Sequence, residues 1–180
     1  MPTYIAMLRG VNVSGHKPLS MERLRAALAP LGFTSVKTYL QSGNVVFEAA
    51  KGSPLALAAK IHEIINREFG YKVPVVIRTA AEVARIIADN PFTKDLHIDP
   101  LKLHVTFLSD PSPKTALAVL QSLADGPERL HVSGREIYLY CPNGYGRTRL
   151  SNTAIEKKLT LAATTRNWKS VNALMQMSST

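Results

Sequence analysis

Ten residues near the end of the chain, Asn143 to Asn152, concentrate the groups best suited to meeting an anion. The stretch N-G-Y-G-R-T-R-L-S-N carries Gly144, Gly146, Arg147 and Arg149 and ends on Ser151 and Asn152, between an expected strand and an expected helix. Glycines let backbone N–H groups come close to a ligand, and a helix start offers unpaired donors and positive potential. A guanidinium grips phosphate or carboxylate through two parallel hydrogen bonds. Ser151 is the expected N-cap of the helix, with Asn152 behind it. A second segment, T-T-R-N-W from Thr164 to Trp168, adds Arg166, Asn167 and the only tryptophan. Trp168 reads as the core anchor of the last helix, which leaves Arg166 and Asn167 as the expected ligand contacts.

Two earlier segments contribute the same chemistry. Arg9 and Asn12 lie at the end of the first apolar run, with Gly15 and Lys17 after it, and because burying charged or amide groups unpaired would cost several kcal/mol they are expected to emerge at a sheet edge. Ser42 and Asn44 lie in Q-S-G-N, Gln41 to Asn44, whose residues also serve ordinary turn chemistry. Together the four segments predict one composite anion-binding site.

More specific labels fail on spacing. A dinucleotide fingerprint needs a third glycine and a later strand-end acid, and a phosphate loop needs G-K-[ST]; neither is present. His62, His97, His104 and His131 have no zinc-ligand spacing, and no G-x-S-x-G elbow or carboxylate pair occurs. The sequence therefore names no catalytic residue, metal or cofactor. Cys141 is the single cysteine, has no neighbouring base, and reads as a buried thiol in a chain without internal disulfides. With no secretory signal and no long apolar run, the expected location is the cytoplasm, away from membranes.

The elements that would position these groups follow from periodicity and breakers. Tyr4 to Val13 is apolar and predicts a buried strand; Ser20 caps a helix that stops at Gly32. Val36 to Leu40 and Val45 to Glu48 form a hairpin, Ser53-Pro54 opens a helix to Phe69, and Pro74 to Thr79 closes the first half. A helix from Ala80 to Asp89 follows, then strand Lys102 to Leu108, a helix capped at Ser112, a second hairpin over 129–140, and helices from Ser151 and Trp168. The order predicts an α+β protein of two ferredoxin-like (βαββαβ) halves packed together, 1–79 and 80–180. The second half is expected to lack its last strand and to end in two helices.

The net charge of +9 is uneven. Residues 1–79 carry ten basic and four acidic side chains, 80–140 six and eight, and 141–180 six and one. Such an excess at both ends suggests a positive face. The segments M-L-R-G-V-N-V-S-G-H-K, T-Y-L-Q-S-G-N-V-V-F, G-R-T-R-L-S-N and A-A-T-T-R-N-W resemble, in order, the bacterial family catalogued as domain of unknown function 1697. Where this chain has Arg149, that family generally has lysine, which keeps the charge and changes the donor geometry. The resemblance implies a two-part α+β fold and no assigned reaction. The leading expectation is an anion-binding domain for a phosphate-bearing ligand, nucleic acid or nucleotide-like. The alternatives are an enzyme acting on a small phosphorylated or carboxylated metabolite, with Arg9, Arg147 and Arg166 as its clamp, and a partner-binding module. Neither half carries the aromatic R-G-F-x-F-V strand of an RNA-recognition module.

Overall fold

A computed structural model describes residues 1–180. The chain divides into two units, Met1–Ala84 with Ala173–Thr180, and Arg85–Asn172. In the first unit the order is β1 (Thr3–Leu8), α1 (Met21–Leu28), β2 (Thr34–Tyr39), β3 (Asn44–Glu48), α2 (Pro54–Phe69) and β4 (Val75–Thr79). Ser20 caps α1 by accepting from the Arg23 N–H at 3.0 Å, and Leu24 and Leu28 are buried. Pro54 opens α2, whose Leu57, Ile61, Ile64 and Ile65 form one apolar stripe. Those residues pack against Tyr4, Ala6 and Leu8, alternate positions of β1. Ile5 and Met7 on the opposite side of the same strand are buried as well. The sheet order is β2-β3-β1-β4, with every neighbouring pair antiparallel.

The first strand is shorter than its apolar run predicts. It ends at Leu8, and Gly10, Asn12, Ser14, Gly15 and Lys17 all take positive φ, which winds the next residues into a compact loop. The apolar residues there still have a purpose, since Val11 is buried in the core.

α3 (Ala80–Ala88) starts on the residue after β4, and the division between units falls inside it. The second unit continues with β5 (Leu103–Leu108), α4 (Ala116–Gln121), β6 (Arg129–Ser133), β7 (Glu136–Tyr140), α5 (Asn152–Leu159), β8 (Ala163–Asn167) and the start of α6 (Trp168–Ser178). Its sheet order is β6-β7-β5-β8, again antiparallel throughout. Ser112 does not cap α4; its hydroxyl donates to the Gly134 carbonyl at 2.7 Å, and the helix begins at Ala116. α5 stops at Thr160, which caps it with φ 57°.

The expectation that the second half lacks its last strand is wrong: β8 is present and pairs with β5 along its length. A-T-T-R-N hides the strand because its polar side chains imitate a loop. Thr164 and Arg166 are buried, Thr165 is half-buried, and they are satisfied across and along the strands instead, with Asn167 alone exposed. Thr165 and Thr106 hydroxyls meet at 2.7 Å, and Arg166 Nη1 donates to Thr164 Oγ1 at 2.8 Å.

With β8 in place, the units repeat one plan down to register. Ile5 faces Arg78 in one sheet as Val105 faces Arg166 in the other, and Tyr4–Thr79 corresponds to His104–Asn167. A helix begins on the next residue in both, α3 after Thr79 and α6 after Asn167. Both arginines are buried, with 1% and 7% exposure. Each donates to its own strand, Arg78 to the Ile77 carbonyl and Arg166 to that of Thr165, both at 3.0 Å.

Candidate functional site

The loop Asn143–Arg149 is built to hold two cations outward. Gly144 sits at φ 91° and ψ 148°, a conformation that glycine alone adopts cheaply, and a 3-10 turn over Tyr145–Arg147 follows. Two anchors press the loop down: the Tyr145 ring stacks on His104 at 4.8 Å, and Leu150 is buried among the residues packed on α5. Between and beside these anchors Gly146, Arg147 and Arg149 are exposed. No ion pair or hydrogen bond holds either guanidinium. Ser151 caps α5 as expected, accepting from the Ala154 N–H at 3.2 Å.

Asn152 has a structural task. Its Oδ1 accepts from Thr165 Oγ1 at 2.6 Å, and that hydroxyl also meets Thr106, so the helix start is tied to β8 and β5. The segments Asn143–Asn152 and Thr164–Trp168 are thus brought together, through Thr165–Asn152 and through His104, which faces Asn167 and carries Tyr145. Arg166 points to the other side of its strand, where burial pulls its guanidinium down to about 10 against an opposing effect of Tyr145. Asn167 is exposed and caps α6, its Oδ1 accepting from the Ser170 N–H at 2.8 Å. Trp168 is half-buried and lines a cavity of about 210 Å³ with Pro100, Leu101, His104, Asn167 and Lys169. Burial lowers the His104 pKa, and the Lys102 carbonyl partly offsets the shift.

In the first unit, the end of β1 and the hairpin turn also meet. Asn12 Nδ2 donates to the carbonyls of Leu19 and Gln41 at 2.8 and 2.6 Å, while its Oδ1 accepts from the Leu19 N–H. Asn44 is buried and donates to the Tyr39 carbonyl and Ser42 Oγ. The Leu8 N–H donates to the Gly43 carbonyl at 2.8 Å, and Lys17 Nζ to the Lys72 carbonyl at 2.8 Å. The backbone N–H of Arg9 donates to Pro74, and Gly15, at φ 76°, turns the chain between Val13 and His16. The amides and the lysine flagged in this unit are thus engaged with the chain itself.

Sequence reasoning missed His104 and Tyr145. The signal was the pairing of His104 with Asn167, which exists only once β8 is a strand. Cys141 is buried, and burial, followed by Glu128, pushes its thiol up to about 12. No three His, Cys, Asp or Glu side chains are grouped to hold a metal ion. No helix is long and apolar enough to cross a membrane.

Comparison with known proteins adds the fold and the family. No curated protein is significantly similar to the chain. Among solved structures, the conserved bacterial protein SP0830 from Streptococcus pneumoniae is similar, with a TM-score of 0.73, 21% identity and 98% of each chain covered. At that identity the likeness shows the α+β fold alone. The family model described as "Protein of unknown function (DUF1697)" matches residues 1–138, and the chain belongs to that family.

Proposed function

We propose that this chain is an anion-binding domain that meets a phosphate-bearing ligand at the Gly144–Arg149 loop, carried on the second of two ferredoxin-like halves. The observation that supports it most is the pair of exposed, unengaged guanidiniums, Arg147 and Arg149, on a loop whose base is fixed by Tyr145 and Leu150. A held loop lowers the entropy lost when the arginines engage a ligand. The stretch of chain that carries the loop has the matching charge. Residues 141–172 carry Arg147, Arg149, Lys157, Lys158, Arg166 and Lys169 against the single acid Glu156. The ferredoxin-like reading rests on the β-α-β-β-α-β order and the strand order of each sheet.

If the ligand is nucleic acid, its phosphates must carry the contact. RNA-recognition sheets stack bases on the face left open by their helices. Here that face is buried in both sheets, at Ile5 and Met7 in one and at Val105, Phe107 and Tyr138 in the other. A loop that reads backbone phosphate is therefore favoured over a platform that reads bases. The test is an amide-shift titration with a short single-stranded oligonucleotide and, separately, inorganic phosphate. Shifts concentrated over residues 143–152 support the proposal; shifts spread over all surface lysines, or none, would reject it.

A further inference from the structure

We propose that the cavity between the start of β5 and the start of α6 binds a small flat ring bearing one acidic group, at a site separate from the phosphate-gripping loop. Its volume of about 210 Å³ lies below the roughly 300–1,000 Å³ of pockets for drug-sized ligands, which suits a single ring better than a whole nucleotide.

Its walls suit that shape. Pro100, Leu101 and the Trp168 indole make an apolar slot. Leu101 is 75% exposed, a large aliphatic chain held in water at the mouth. A ring inserted against Leu101 and Trp168 would remove that surface from water and gain offset stacking on the indole.

The polar groups set the sign of the ligand. Lys169 is exposed at the rim, and Asn167 has spent its Oδ1 on α6 while its amide Nδ2 makes no hydrogen bond. The His104 imidazole lines the wall and is held in place by the Tyr145 stack. The neighbouring carboxylate, Asp99, is turned to accept from the Leu101 N–H at 3.0 Å. Donors thus outnumber acceptors, which selects an acidic ring substituent.

Trp168 is the only tryptophan, so its fluorescence reports on this wall alone. Benzoate is the probe, with benzamide and acetate as the uncharged and ringless comparators. We expect benzoate to quench saturably in the low-millimolar range, benzamide to bind at least about tenfold more weakly and acetate to have no effect, since a charge-assisted contact is worth about tenfold or more. Lys169→Met should weaken benzoate by a similar factor and Leu101→Tyr should abolish it by filling the mouth while leaving Trp168 the only tryptophan, both without a change in melting temperature. The Arg147→Ala/Arg149→Ala double variant should bind benzoate as the wild type does, which separates this site from the loop. Linear, unsaturable quenching overturns the proposal, as does equal affinity for benzamide and benzoate, or binding untouched by both cavity variants.

Discussion

Replacing Gly43 by alanine probes the junction that holds the end of β1 against the first hairpin turn. Gly43 has φ +86°, and a Cβ built there would lie 2.7 Å from Val11 Cγ2 and 2.9 Å from Leu8 Cβ. Neither neighbour can retreat, because Leu8 and Val11 are buried in the core and the Leu8 N–H holds the Gly43 carbonyl at 2.8 Å. The left-handed backbone costs about 1–2 kcal/mol for a residue with a Cβ. Overpacking a closed contact adds roughly 1–3 kcal/mol. The expected loss is therefore about 2–5 kcal/mol, or roughly 5–20 °C in Tm at ~2–4 °C per kcal/mol for a chain of this size. Urea and thermal unfolding followed by circular dichroism measure it. Gly52→Ala is the control, since a Cβ there meets only the Ala50 carbonyl at 3.6 Å and should change stability by less than about 0.5 kcal/mol. A Gly43→Ala loss below about 1 kcal/mol would refute the close-approach argument.

Asn44→Ala removes the donor to the Tyr39 carbonyl and Ser42 from a buried position and should cost about 1–3 kcal/mol in chemical unfolding. His104 gives a pH dependence of known sign. Its folded pKa is lowered by burial, so below its ordinary value near ~6.5 the unfolded chain binds the extra proton. Stability is then fully present above that value, falls as pH drops through it and levels off below the folded pKa. Melting curves between neutral and mildly acid pH should show wild type losing more than His104→Gln, and parallel curves would contradict this. Cys141, with its thiol pushed up to about 12, should react slowly with an aromatic disulfide reagent in the native protein and rapidly once unfolded.

Much of the architecture was legible where apolar spacing and caps agree, as in Ser20 before α1 and Pro54 before the stripe of α2. It failed where polar side chains are satisfied within a sheet. Thr165, Arg166 and Asn167 read as a loop because periodicity scores polarity and cannot see that Thr106 and Thr164 wait across or along the strand. The same blindness exchanged roles within the site. Asn12, Asn44 and Asn152 looked like ligand contacts, yet their hydrogen bonds bind the chain to itself. Among the expected cationic contacts, Arg147 and Arg149 alone are exposed and held by no ion pair or hydrogen bond. His104 and Trp168 gained significance only from register and cavity, which spacing along the chain does not encode.

The central claim is that Arg147 and Arg149 grip phosphate, and the salt dependence of binding tests it most directly. Wild type and the Arg147→Ala/Arg149→Ala variant would be titrated with a labelled single-stranded oligonucleotide across a series of salt concentrations. Each lost phosphate contact lowers the slope of log affinity against log salt by about 0.7, so the double variant should show weaker binding at low salt and a slope smaller by about 1.4. Equal slopes and equal affinities in the two proteins would contradict the account.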